Sequence, residues 1–328
     1  MKAKIFLLII LFGSSIISFV NADNVSSIML KSLNELYSAG SEPIVVAFGN
    51  FTYSNKDFGS EFSVFLEEQL GMAMASCAQY ELFAQDKLEE ILEAQEMSLS
   101  DLFLEEDSIK IGHLKNIKAI LSGRFFENDT SVNVYINLVN IETGVYYKII
   151  SLNIPRELIP GSISILPQNY DDALAVVEEI DYIDTGGPSS LKVKAWTKRG
   201  QGGIYLDGEE LVVHFYANQD CYIKIFHIDV NGQMSLIFPN EFQQNNFIEK
   251  EKVYSIPEPS YGFAFELGDP FGTEFIKVIA STSQFKDIEE AFAALGKADA
   301  ELIERGLTVK QREEKIAEVL FSYTIIEN

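Results

Sequence analysis

The sequence predicts an α+β protein: an N-terminal α/β unit with a mixed sheet and helices, followed by a β-sandwich-like unit with C-terminal helices. Three observations carry this. Over residues 28–155, apolar runs of strand length alternate with stretches whose apolar residues recur at helical spacing. From Leu191 the pattern changes to short strands punctuated by Gly, Asn, Asp and Pro, without helical stretches between them, as in a sandwich or barrel. Between the two, Pro155, Pro160 and Pro167 break up the chain and "DTGGPSS" has the composition of a linker. Residues 156–190 are therefore expected to link the units, with "YDDALAVVEEIDYI" as a helix within them.

In the first unit, "PIVVAFGNF" reads as a strand and "TYSNKDFG" as the turn after it. Phe62, Phe65, Leu66, Leu70, Ala73 and Cys77 then fall on one helical stripe. "YELFA" is a short strand and "QDKLEEILEAQEM" a second amphipathic helix with Leu88, Ile91 and Leu92 inward. "SIKIGHLKNIK" is expected as a short third helix and "AILSGRFFEN" as a strand. Val132, Val134, Ile136 and Leu138 alternate with polar neighbours, Glu142-Thr143-Gly144 supplies a turn, and the chain returns through Ile150, Leu152 and Ile154. That is a hairpin with one buried and one wet face.

The second unit offers "LKVKAWT", "GGIYL", "ELVVHFYA", "CYIKIFHID", "QMSLIF", "KVYSIP", "GFAFEL" and "EFIKVIAST" as strands. Asn231-Gly232 marks a tight hairpin between the fourth and fifth. Near the end Ile288, Phe292, Leu295 and Leu302 share a helical face, and Thr308 with Gln311 suits a capping box for a second helix through Ile316, Val319 and Leu320. "FSYTII" alternates like a last strand returning to the sandwich.

The N-terminus has the parts of a secretory signal: Lys2 and Lys4, the apolar run Ile5 to Phe12, and Val20-Asn21-Ala22 before the expected cleavage. The alternative is an uncleaved anchor, because Ile16 to Val20 extend the apolarity. No cysteine near the cleavage point suits lipidation, and no second apolar stretch is long enough to span a membrane. Cleavage after Ala22 leaves 306 residues, enough for about two domains, and moves the formal charge from 25 − 49 = −24 to 23 − 49 = −26. Such a field repels phosphate backbones and excludes nucleic acid as the expected partner. Cys77 and Cys221 are too sparse for a disulfide scaffold; they are either one bridge between the units or two buried thiols.

The census of reactive groups does not point to an enzyme. His113, His214 and His227 are not accompanied by a G-x-S-x-G nucleophile elbow, and there is no Walker A or G-x-G-x-x-G sequence. His214 and His227 lie on neighbouring predicted strands and, with Asp220 or Asp229, would be the one candidate metal pair; ordinary half-buried histidines are the other reading, and neither a metal nor a cofactor is expected. "KRGQGG" is either an anion nest or a loop opening the sandwich. The sequons at Asn24, Asn50 and Asn128 matter only in a eukaryotic secretory pathway, and the rest of the chain looks bacterial.

Two resemblances add to this. "PIVVAFGNFTYSNKDFGSEFSVFLEEQL", "YELFAQDKLEEILEAQEMSLSD" and "IKAILSGRFFENDTSVNVYINLVNIETGVYY" together resemble the periplasmic domain shared by CsgG-like, FlgO-like and TolB-N-like proteins, over about 110 residues. That resemblance implies a domain that assembles in the cell envelope or recruits partners, without catalytic residues. "DGEELVVHFYANQDCYIKIFHIDVNGQMSLIFPNEFQQNNFI" and "IPEPSYGFAFELGDPFGTEFIKVIAST" resemble an uncharacterised bacterial β-rich domain often appended to kinases, caspase-like proteases and CsgG-like domains. The expected function is thus that of an exported, non-catalytic envelope protein acting through protein–protein contact, with envelope proteins or a second copy as partners. The alternative is a module that grips a peptide or glycan through sandwich loops, with Asn240, Phe242, Asn246, Tyr261 and Phe271 as its binding residues and Phe247 and Phe263 beside them. An exposed apolar patch on the first unit would favour contact with a protein; a concave, aromatic-lined site on the sandwich would favour a ligand.

Overall fold

A computed structural model describes residues 24–37, 42–54, 56–84, 117–181, 190–285 and 315–327. The signal-like segment, the helices expected at "QDKLEEILEAQEM" and "SIKIGHLKNIK", "DTGGPSS" up to Ser189, and the helical face of Ile288 to Leu302 lie outside the described residues, as does His113. The fold is α+β, as expected.

The first unit is a five-stranded mixed sheet in the order β2-β1-β3-β4-β5, built from β1 (Ile44–Tyr53), β2 (Tyr80–Leu82), β3 (Ala119–Glu127), β4 (Ser131–Asn140) and β5 (Tyr146–Pro155). Strand β1 runs parallel to β2 and β3, and β3, β4 and β5 run antiparallel in turn. The alternation read from the sequence is realised: Val132, Val134, Ile136, Leu138, Ile150, Leu152 and Ile154 face the core. Each such side chain contributes roughly 1.5–3 kcal/mol of transfer free energy. Helix α1 (Val25–Leu36) and helix α2 (Glu61–Ala75) pack against each other over this core.

The helical stripe from Phe62 to Ala73 lies inward along α2, with Cys77 buried just beyond its end. Helix α1 was not foreseen. Val25, Met29, Leu33 and Leu36 form its buried stripe, and Asn24 caps it by accepting from the Ser27 N–H at 2.8 Å. At its other end Lys148 of β5 donates to the Glu35 carbonyl at 2.6 Å, a cation where the helix dipole favours one.

The second unit is two layers of strands. A six-stranded sheet holds β11 (Met234–Phe238), β10 (Cys221–Ile228), β15 (Gly272–Ser281), β16 (Ile316–Ile326) and β7 (Gly203–Leu206) in that order, with β12 (Phe247–Ile248) also on β10. Opposite it lie the sheet β13-β9-β6 (Tyr254–Ile256, Val213–Ala217, Val193–Trp196) and the pair β14-β8 (Phe265–Glu266, Glu210–Leu211). Their inner faces share one core, including Phe215, Ile225, Val278 and Tyr323. The Asn-Gly turn joins β10 to β11, with Gly232 at φ 78°, a left-handed conformation that suits glycine.

Residues Ile316, Val319 and Leu320 correct the expected C-terminal helix. They belong to β16, which is antiparallel to β15 along its length and parallel to β7. A period of two runs through the same residues: Ala317, Val319, Phe321, Tyr323 and Ile325 all point into the sandwich core, and Leu320 packs on the opposite face. The final strand expected from "FSYTII" is thus the second half of a longer one.

The helix expected between the units is present as α3 (Tyr170–Asp181), and it seals a seam between the two cores. Ala173 and Val176 of α3 pack with Phe58, Ile228 and Phe275 on the outer face of the six-stranded sheet. The Phe58 and Phe275 rings meet edge to face at 5.9 Å. Polar contacts complete the seam: Asn50 donates to the Arg199 and Gln201 carbonyls at 2.8 and 2.9 Å, and the Gly59 N–H donates to Thr324 Oγ1 at 3.2 Å. Just before α3, Asn169 accepts from the Thr273 N–H at 2.7 Å and donates to the carbonyls of Thr273 and Val230 at 2.8 and 2.9 Å.

Asp57 sits on this seam with φ 56°, and its carbonyl accepts from Ser322 Oγ at 3.0 Å. Burial raises its carboxyl above the ordinary value, against a hydrogen bond from the Thr52 side chain that lowers it. A raised carboxyl favours the folded state only while protonated, so this contribution is lost as pH rises through the folded value. Asp57→Asn keeps an acceptor for Thr52, tolerates positive φ and removes the buried charge. It is expected to raise the melting temperature modestly at neutral pH, with the gain disappearing below the usual carboxylate range; melting curves at the two pH values check this.

Candidate functional site

The polar run after β11 leaves the edge of β10 at Phe238 and rejoins the same edge at Phe247, where Tyr222 and Phe247 pair. It is held from within. Asn240 accepts from the N–H groups of Phe242 and Gln243 at 3.0 and 2.8 Å and donates to the Ile237 carbonyl at 2.9 Å. Asn246 donates to the Ile223 carbonyl at 3.0 Å. Both side chains expected to grip a ligand thus have a structural task, that of the Asx turn for Asn240.

The aromatic residues named with them are spread out. Phe242 is 54% exposed and stacks on Phe263 with centroids 4.9 Å apart. Tyr261 is exposed in a short 3-10 turn, and Phe271 is half-buried against the sandwich core. The structure brings Phe242, Phe263 and Phe265 into one row of rings, without joining Asn246, Tyr261 and Phe271 to it in one hydrogen-bonded or stacked group.

His214 and His227, the candidate metal pair, are in different sheets. His214 on β9 stacks against Trp196 at 5.9 Å, and His227 on β10 bonds Glu274 through Nε2 at 2.8 Å. The corrected reading follows from strand order: β9 and β10 are consecutive in sequence but cross from one layer to the other, so their side chains do not converge. Among the described residues no group of three or more His, Cys, Asp or Glu could hold a metal ion.

Glu274 also accepts from the Tyr323 hydroxyl at 2.6 Å, deep in the sandwich. Burial, and then the charge and hydrogen bond of Glu274, push the Tyr323 hydroxyl well above its ordinary value, so it remains a donor. Nearby, "KRGQGG" forms the turn into β7 instead of an open nest. Arg199 is paired with both carboxylate oxygens of Glu209, at 2.6 and 2.9 Å, and lies over the Tyr205 ring. Burial alone would raise the Glu209 carboxyl, but the hydrogen bonds from Arg199 and the Leu206 N–H, with the charges of Arg199 and Lys198, hold it below its usual range. The cleft beside this pair, lined by Lys198, Glu209, Glu210, Val212 and His214, has a volume of ≈ 180 Å³. Small-molecule sites typically occupy roughly 300–1,000 Å³.

Cys77 and Cys221 are both buried and unbridged, in the two separate cores. Burial raises both thiols, Cys221 to about 11 with the charge of Asp220 adding to the effect. Thiolate is the reactive form, so neither thiol is expected to react with a thiol reagent in the native protein and both are expected to react on unfolding. Titration with an aromatic disulfide before and after denaturant checks this.

Among the described residues, the most exposed run of large apolar side chains lies on the first unit, at the start of β5. Val145 is 62%, Tyr146 55%, Tyr147 44% and Ile149 54% exposed. Tyr147 meets Tyr37 edge to face at 6.3 Å, and Tyr37 packs with Tyr80, so the patch continues onto the end of α1. Tyrosine combines a large rigid ring with a polar tip and is enriched at protein interfaces. Sequence reasoning read these residues only as the return of a hairpin; the signal was the unbroken apolar run at Val145-Tyr146-Tyr147, more than one buried face needs.

Residues 204–284 match a family described as a domain of unknown function (DUF4384), spanning β7 to β15. No curated protein matches the chain. Among solved structures, the chain is similar to the C-terminal domain of LpoB from Escherichia coli, at 16% identity and TM-score 0.33, over 40% of this chain and 98% of that one. It is similar to lipoprotein GNA1162 from Neisseria meningitidis at 16% identity and TM-score 0.27, over 42% and 97% of the two chains. TolB from Acinetobacter baumannii follows at 8% identity and TM-score 0.22, over 73% and 69%. Scores this low carry neither a fold nor a function across. No helix among the described residues is long and apolar enough to cross a membrane.

Proposed function

We propose that the chain is an exported, non-catalytic protein of the cell envelope that acts through protein–protein contact at the β5 end of its first unit. The observation that carries this reading is the Val145–Ile149 patch, four large apolar side chains exposed in a chain of net charge −24. Export, with cleavage after Ala22, rests on the signal-like N-terminus, and the envelope setting on the resemblance of the first unit to CsgG-, FlgO- and TolB-N-like domains. The division into a unit over 28–155, a linking segment over 156–190 and a sandwich over 191–328 belongs to the same proposal. The test is affinity capture from envelope extracts with the full-length protein and with a Tyr146→Ser/Tyr147→Ser variant. The reading predicts discrete partners that the variant loses; partners retained by the variant, or none with either protein, contradict it.

A second reading assigns binding to the sandwich loops, favoured by the exposed Phe242 ring stacked on Phe263. It predicts that a glycan or peptide library binds the wild type and fails with Phe242→Ala, leaving the Tyr146/Tyr147 variant unaffected.

A further inference from the structure

The five-stranded sheet has two faces, and the core of the first unit occupies one of them. Val46, Phe48, Ala119, Leu121 and Leu138 point into that core, beneath α1 and α2. By the alternation of a strand, Ala47, Ile120 and Val139 point the other way. They are neighbours there, because Ala47 pairs with Ile120 and Ile120 with Val139. Ala47 and Ile120 are nonetheless fully buried, and Val139 is buried beside them. No helix among the described residues lies over them: α1 and α2 bury their stripes on the first face, and α3 packs on the sandwich. The second unit meets β1 further along, at Asn50 and Thr52.

Strand order determines what else can reach this face. Strands β2 and β3 flank β1 on opposite sides and both run parallel to it, so the chain crosses over the sheet twice. The first crossover, β1 to β2, runs through α2 on the core face. The second, β2 to β3, travels back past β1 in the opposite direction. Crossovers between parallel strands are right-handed in about 98% of cases, and two that travel in opposite directions then lie on opposite faces. The second crossover comprises residues 85–116, and 117 − 85 = 32 residues are ample for a helix between parallel strands. We propose that residues 85–116 lie across this second face and bury Ala47, Ile120 and Val139.

The composition of the segment fits that place. Leu88, Ile91 and Leu92 recur at helical spacing and supply an apolar stripe. Nine acids against three lysines give the segment a formal charge of 3 − 9 = −6. Over β1, β3 and β4 the second face presents no acidic side chain, and Arg124 is directed to it opposite Tyr135. An acidic helix therefore meets a face without like charge. Tyr146 and Ile149 belong to the same face, opposite Val139 and Asn137, and remain exposed. The segment thus leaves the β5 end open, and its placement does not depend on a partner there.

A photo-reactive residue in place of Ile91 of the full-length protein tests the placement. Illumination should give an intramolecular cross-link to β1, β3 or β4, the strands that carry Ala47, Ile120 and Val139. A cross-link to α1 or α2, one confined to residues 85–116, or none overturns it. A thiol gives a second readout. Val139→Cys should resist an aromatic disulfide in the native protein. Adding Leu88→Ser, Ile91→Ser and Leu92→Ser should speed its reaction by at least about tenfold, with Cys77, buried on the opposite face, still silent. Rapid reaction of Val139→Cys by itself, or no acceleration in the combined variant, also overturns the proposal. If Cys77 reacts as well, the unit has unfolded and the cross-link map decides.

Discussion

Asn169→Ala is expected to destabilise the protein by about 2–4 kcal/mol, because three hydrogen bonds cross the seam through that one side chain. Removing it leaves the Thr273 N–H and the Thr273 and Val230 carbonyls without the partner that joins them to α3. In a chain of this size, that corresponds to a fall in melting temperature of roughly 3–6 °C. The neighbouring Gly272 provides an internal control. A Cβ there would lie 2.5 Å from the Asn169 side-chain oxygen, at φ 145°. Gly272→Ala alone therefore displaces Asn169, and that part of its cost, though not the strain of φ 145°, is already spent once Asn169 is gone. The double variant should cost less than the sum of the singles, as expected for residues that share one interaction. Calorimetry of the four proteins decides it, and additive costs would mean that Asn169 is not the hinge pin of the seam.

Gly123→Ala should be at least as damaging, at about 3 kcal/mol or more. Gly123 lies in the middle of β3, opposite Ile136. A Cβ there would stand 2.3 Å from the Tyr135 carbonyl oxygen and 2.9 Å from the Phe51 ring. The ring lies so close because β1 shifts register between Phe48 and Phe51, turning Phe51 into the core, where it is fully buried. Backbone and a packed aromatic ring cannot both give way, so the expected outcome is loss of the first unit's cooperative unfolding transition. Denaturant unfolding followed through near-ultraviolet circular dichroism checks this; a variant with unchanged midpoint would show that β3 and β4 part more easily than their register implies.

Several elements were legible in the sequence because local pattern and tertiary role agree. The α2 stripe, the β4–β5 alternation and the Asn-Gly turn each state their burial in their own period. Helix α1 was missed because it follows directly on the apolar N-terminal segment, although Asn24 and the Met29-Leu33 spacing mark it. In β16, Ile316, Val319 and Leu320 share a helical face, but pairing with β15 and β7 selects the extended period, which sends Val319 into the sandwich core and Leu320 to the opposite face. The site was less legible. Asn240 and Asn246 look like binding residues in sequence, yet Asn240 holds its own loop and Asn246 ties that loop to β10. Conversely, Tyr146, Tyr147 and Ile149 look like core residues, and only the order of strands shows that nothing among the described residues pairs beyond them.

The central claim is that this protein works through the β5 end of its first unit. Its most direct test is a photo-reactive amino acid placed at Tyr146 or at Phe242 of the full-length protein and activated in intact cells. The account predicts discrete protein adducts from position 146 and none from position 242. Adducts from position 242 alone, or none from position 146, would contradict it.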